Sequence, residues 1–112
     1  MRRVPLCSVD LYDANDRFVG PLDYADAYIQ VSKMPQGGLT GDEMDTPLSI
    51  ESAIRTARSH NADSVLLEDA QWQWLCDRVK SNRWPYASKT FKDLIEAVLS
   101  AELVDPNIRM IQ

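Results

Sequence analysis

The residues that could do chemistry in this chain are few: two cysteines, Cys7 and Cys76, one histidine, His60, and scattered carboxylates. A structural zinc site needs four converging nitrogen or sulfur ligands, usually with close spacing, and one imidazole with two cysteines 69 positions apart does not supply them. Asp13-x-x-Asp16 and Asp42-Glu43-x-Asp45 could touch a hard cation, but neither has the ligand count or glycine placement of a calcium loop, and turn and capping roles explain both. Nucleophilic catalysis would need a serine or cysteine beside a base, and His60 falls in a turn, His60-Asn61-Ala62-Asp63. Gly37-Gly38 lacks the flanking pattern of a phosphate loop. The residues therefore indicate no enzyme, no metal site and no cofactor. The two thiols read as reduced and structural, with Cys76 on the apolar side of a helix.

What remains is recognition. Trp72, Leu75, Cys76 and Val79 stand at i, i+3, i+4 and i+7, one apolar helix face, and Trp74 falls off it. A tryptophan on the polar side of a helix is a candidate interface anchor; packing against the N-terminal hairpin is the alternative. Tyr24 and Tyr28, four apart on an earlier helix, are further interface candidates, and so are the carboxylates of Asp42, Glu43 and Asp45. Arg78, Lys80, Arg83, Lys89 and Lys92 surround Trp84 and Tyr86, an interleaving that can hold single-stranded nucleic acid through phosphate contacts and base stacking. The structural alternative is that Arg78 and Lys80 complement a helix C-terminus while Trp84 plugs the core between the last two helices.

The charge is uneven. Seventeen acidic against twelve basic residues give a net charge of −5. The excess lies in residues 1–51, where Asp10, Asp13, Asp16, Asp23, Asp26, Asp42, Glu43, Asp45 and Glu51 face only Arg2, Arg3, Arg17 and Lys33. That field repels phosphate, so duplex DNA is disfavoured and a basic partner is favoured; a solvated acidic face is the plainer explanation. With 112 residues, 45% of them apolar, the chain can form one domain that buries about two thirds of its extended surface. No apolar run approaches a membrane span, and Met1-Arg2-Arg3 opens no apolar signal segment, which together favour a cytoplasmic protein with no membrane partner.

The elements that position these residues follow from periodicity. Residues 3–20 read as a β-hairpin, with Val9 and Leu11 alternating with Asp10 and Tyr12, Asp13-Ala14-Asn15-Asp16 as the turn, and Phe18-Val19 resuming. Gly20-Pro21 is expected to open a helix with an apolar stripe of Leu22, Ala25 and Ile29, flanked by Tyr28 and Met34, stopped by Pro35-Gln36-Gly37-Gly38. Thr40 and Glu43 have capping-box spacing. Pro47 then either bends the following helix or starts a second one after Thr46, with Leu48, Ile50, Ala53, Ile54 and Ala57 as its apolar pattern. Ser64–Leu67 is a short strand, able to pair with the hairpin, and the helix bearing the two tryptophans ends before Trp84-Pro85. A last helix is predicted over residues 86–103, with Ala87, Phe91, Leu94, Ile95 and Val98 inward, and a tail over 105–112. The result is a single α+β domain over 1–112: a β-hairpin at 3–20, or a small three-stranded antiparallel sheet if Ser64–Leu67 joins it, packed against three to five helices, the helical part with its short strand covering 21–104.

The turn Leu11-Tyr12-Asp13-Ala14-Asn15-Asp16, the break Met34-Pro35-Gln36-Gly37-Gly38-Leu39, the acidic-capped helix, and Leu66-Leu67-Glu68-Asp69-Ala70 running into a helix followed by Arg83-Trp84 resemble small proteins of tailed bacteriophages and prophages. The resemblance is one of architecture over residues 4–103 and carries no catalytic residues. It implies a viral protein in the bacterial host cytoplasm or the virion that acts by binding another protein, a phage structural or a host one, and possible homo-oligomers. Three functions follow as expectations: a phage-type interaction module for particle assembly, a host-directed inhibitor that occludes a nucleic-acid-binding or defence protein through its acidic face, and a single-strand-binding accessory protein.

Overall fold

The first strand, β1 (Arg2–Pro5), is the middle of a three-stranded antiparallel sheet. It pairs on one side with β4 (Ser64–Leu67) and on the other with β5 (Glu102–Leu103), in the computed structural model that describes residues 1–104. Val4 opposite Val65 and Arg2 opposite Leu67 set the register, and Val4, Val65 and Leu67 face the core. A separate hairpin joins β2 (Ser8–Tyr12) to β3 (Phe18–Asp23). The hairpin expected over 3–20 is thus displaced: residues 2–5 leave it for the other sheet, and Ser64–Leu67 pairs with them instead of with the hairpin. The tail 105–112 and the Asp105-Pro106 stop lie outside the described residues.

Gly20-Pro21 belongs to β3, not to a helix. Pro21 pairs with Asp10, and proline is tolerated there because a two-stranded sheet consists of edge strands whose outer N–H groups need no ladder partner. The turn forms as expected: the Asp13 carboxylate accepts from the amides of Asn15 (2.8 Å) and Arg17 (3.0 Å), and Asp16 takes a φ of 60°. Helix α1 (Tyr24–Lys33) begins three residues later than Pro21, where the Asp23 side chain caps the Ala25 amide at 3.0 Å. Its buried side carries Tyr24, Ala25, Tyr28, Val31 and Ser32. Gly37 and Gly38, at φ of 91° and 80°, then turn the chain, a backbone state costly for any side chain.

A 3-10 turn (Gly41–Glu43) leads into α2 (Asp45–Ser59). Pro47 is the third residue of that helix, still in the first turn where its missing N–H leaves no intrahelical bond unmade. The buried positions are Pro47, Ile50 and Ile54. Leu48, expected inward, lies about 200° around the helix from Ile50 and is exposed. Helix α3 (Asp69–Ser81) buries Leu75, Cys76 and Val79. Helix α4 (Lys89–Leu99) is shorter than the predicted 86–103 because Ser88 caps the Thr90 amide at one end and residues 102–103 pair with β1 at the other; Ala87 is exposed accordingly.

One continuous core joins all of this, with Val4, Tyr28, Ile50, Ile54, Leu67, Leu75, Val79, Leu94 and Val98 essentially sealed from solvent. Two polar fastenings locate the parts. The Tyr28 hydroxyl donates to the Pro5 carbonyl at 2.8 Å, tying α1 to the central strand. The Thr90 hydroxyl accepts from the Tyr12 amide (3.3 Å) while Ser88 donates to the Tyr12 carbonyl (2.6 Å), so the start of α4 closes the outer edge of β2. Tyr28→Phe removes one hydroxyl from a sealed site and leaves its acceptor unpaired. It is expected to lower the unfolding free energy by about 1–3 kcal/mol in urea titration; an unchanged midpoint would show that this bond contributes nothing.

Candidate functional site: an acidic corner and an aromatic groove

The three aromatic interface candidates are not displayed together at the surface. Tyr24 and Tyr28 are buried, tilted against each other with ring centroids 5.9 Å apart, and burial raises both hydroxyl pKa values above the ordinary 10.0. Trp74 is half-buried against the core rather than projecting from it. Its indole N–H donates to the Ser32 carbonyl at 3.1 Å, and the Arg78 guanidinium lies over the ring at 5.0 Å. Sequence periodicity placed Trp74 off the Leu75 stripe correctly, but α3 is flanked by α1 and α2 as well as α4, so a second side of the helix is covered.

Of the six candidate interface residues, Asp42, Glu43 and Asp45 are the ones the structure leaves exposed. They ring the connection between α1 and α2. Glu43 accepts from the Thr40 amide at 2.9 Å and the Thr40 side chain faces the Glu43 amide in return, the anticipated capping box. That backbone bond, the Thr40 hydroxyl and then the charge of Arg78 hold the Glu43 carboxyl below its ordinary 4.5. None of the three carboxylates joins an ion pair among the described residues. Met34, Met44 and Leu48 are 66%, 46% and 51% exposed, with Met44 between Glu43 and Asp45 in the chain and Leu48 one turn further along α2. Met44 and Leu48 line a shallow dent with Leu39, Pro47 and Lys33, of about 170 Å³. Sequence reading put Met34 beside the apolar stripe of its helix and Leu48 inside. The available signals against that were Met34's place at the helix end just before Pro35, and Leu48's displacement from the Pro47, Ile50, Ile54 rhythm.

The second feature is a groove. Trp84, Tyr86, Phe91 and Ile95 line an open channel of about 610 Å³ with Lys89 and Lys92 on its walls. The Trp84 and Tyr86 rings lie 4.9 and 5.3 Å from the Phe91 ring. Trp84 and Phe91 continue into a neighbouring groove of about 320 Å³ that includes Arg83, Asn82 and Met34. Lys92 pairs with Glu96 at 3.1 Å, whereas Lys89 and Arg83 have no ion-pair partner among the described residues. The basic and aromatic residues singled out in the sequence are thus largely brought together, with Trp84 shared between core and groove.

Among the described residues no cluster of three or more His, Cys, Asp and Glu side chains could hold a metal ion. Cys7 is exposed, but desolvation and then Asp23 push its thiol above the ordinary 9.0, and desolvation first raises buried Cys76 as well. No helix among the described residues is long and apolar enough to cross a membrane. Comparison with known proteins finds no matching family model, no matching curated protein and no matching solved structure.

Because the folded Glu43 pKa is depressed, its contribution to the 3-10 turn is complete above the unfolded value and is lost as pH falls through the lower folded one. In a carboxyl-resolved NMR titration Glu43 is expected to protonate below 4.5, with the Thr40 amide resonance moving in step. A Glu43 midpoint at or above 4.5 would contradict the turn geometry.

Proposed function

We propose that this chain is a non-enzymatic, phage-type protein-interaction module whose docking surface is the acidic corner between α1 and α2. The observation that supports this reading is that Asp42, Glu43 and Asp45, exposed and without an ion pair among the described residues, flank Met44 in the chain, with Leu48 one helical turn further on, both of these also exposed. Methionines adapt to irregular apolar partners, and exposed apolar side chains grouped within a polar rim mark interaction sites. Carboxylates around them select partners that carry lysine or arginine beside apolar residues, and steer their approach. The phage setting and a role in assembly or in occluding a host protein are part of the same proposal, supported by the resemblance of segment order and by the acidic first half of the chain.

The test is a titration of the full chain with a labelled amphipathic helical peptide of lysine and leucine, read by fluorescence anisotropy. Binding is expected at low salt, to weaken as salt rises, and to fall at least tenfold in Asp42→Asn/Asp45→Asn and in Met44→Ser/Leu48→Ser. Equal affinity for the native chain and both double variants would overturn the proposal, as would no binding at all. These four side chains are exposed, so the thermal midpoints should stay within a few degrees of the native chain.

A further inference from the structure

The two grooves around α4 share Trp84 and Phe91 among their lining residues and so form one channel with two lobes. The shared part is aromatic. The Trp84 ring lies 4.9 Å and the Tyr86 ring 5.3 Å from Phe91 between centroids. Phe91 is buried, whereas Trp84 and Tyr86 are half-buried and keep part of their surface open to the channel. Cations are divided between the lobes: Arg83 lines the smaller, and Lys89 and Lys92 line the larger. No carboxylate lines either lobe among the described residues. Asp93, the acid next to Lys92 in the chain, lines a different pocket with Asp10 and Asp16. A chain with a net charge of −5 thus carries a channel whose charged lining is wholly positive.

Open aromatic rings and cations in one channel suit a ligand that alternates flat π surfaces with anionic groups. An unpaired nucleic-acid strand has that repeat, because its bases can stack on the rings while its phosphates meet the cations. A duplex does not, since its bases are already stacked on one another and its dense phosphate charge meets the acidic remainder of the chain. An acidic peptide would match the cations and offer the rings no succession of flat faces. Asn82 and Gln30 add side-chain amides to the smaller lobe, groups able to bond base edges. Internal packing accounts for buried Phe91 and for the Trp84 indole, which bonds Val79. It does not account for Arg83 and Lys89, exposed and without an ion pair among the described residues.

We propose that this channel is a binding site for single-stranded nucleic acid, with bases stacked on Trp84 and Tyr86 and phosphates held by Arg83, Lys89 and Lys92. It is a second site, and it does not depend on the acidic corner being a docking surface.

The experiment is fluorescence anisotropy of a labelled oligothymidylate titrated with the full chain at several salt concentrations. Binding is expected, with log affinity falling against log salt at a slope of about −2, since each of three phosphate contacts contributes about −0.7 for a single strand. Arg83→Gln/Lys89→Gln is expected to bind at least tenfold more weakly at low salt, with its slope reduced to about −0.7. Tyr86→Leu removes a stacking face and no charge, so it is expected to lose about tenfold in affinity at an unchanged slope. Circular dichroism checks that each variant keeps its fold, and the exposed pair Arg83 and Lys89 decides the matter if Tyr86→Leu does not. The Asp42→Asn/Asp45→Asn variant should bind the oligonucleotide at least as well as the native chain, and Arg83→Gln/Lys89→Gln should still bind the lysine–leucine peptide, which separates failure of this site from failure of the corner. No binding with the protein at about 1 mM overturns the proposal. So does equal affinity of the native chain and Arg83→Gln/Lys89→Gln, or a duplex of the same length bound as tightly as the single strand. Displacement of the oligonucleotide by a tighter-binding glutamate–leucine peptide would also overturn it and assign the channel to a protein partner.

Discussion

Each of the three tryptophans donates its indole N–H to a carbonyl in the last turn of a different helix. Trp74 bonds Ser32 of α1 at 3.1 Å, Trp84 bonds Val79 of α3 at 3.3 Å, and Trp72 bonds Val98 of α4 at 2.9 Å. The last four carbonyls of a helix lack intrahelical partners, and an indole offers one donor on a large apolar body. One side chain therefore meets a polar need and fills the space between two elements. The links run α3 to α1, α3 to α4, and the post-α3 segment back onto α3, so α3 is the hub on which the other helices are set. Arg2 adds the central strand, its guanidinium 4.2 Å above the Trp72 ring while it donates to the Ala101 carbonyl at 3.1 Å.

That bonding places the candidate interface. With Ser32 held by Trp74, α1 ends at a fixed point, and the chain leaves it at Met34 toward solvent. Lys33 on α1 meets Glu51 on α2 at 3.0 Å, and Arg58 reaches both Asp23 and Asp26, so the two helices that flank the connection are fastened at both ends. The connection itself, with Gly37 and Gly38 and the 3-10 turn, carries the acidic and methionine side chains outward. Core-forming aromatics and the exposed corner are two consequences of one arrangement.

Much of the helical framework could be read from spacing. The apolar stripe of α3, the caps at Thr40–Glu43, the left-handed glycines and the short strand at Ser64–Leu67 all depend on neighbours within a few residues. What could not be read depends on partners far along the chain. Nothing local reveals that Arg2–Pro5 pairs with Ser64–Leu67 and with Glu102–Leu103, far along the chain, or that Pro21 sits on a strand edge where its missing donor is harmless. Trp74 misled for the same reason: one periodic face identifies one buried side, and a helix held by three neighbours has more than one. Met34 and Leu48 misled in the opposite sense, apolar by type but turned outward by the helix phase that Tyr28 and Ile50 impose.

All three tryptophans act as internal caps on helix C-termini. The most direct measurement is hydrogen exchange of the three indole N–H groups by NMR under native conditions. All three are expected to exchange slowly, Trp74 included, because each proton is engaged with a helix-terminal carbonyl. A Trp74 indole proton exchanging as fast as that of a free tryptophan would contradict the claim and return Trp74 to the surface as a contact residue.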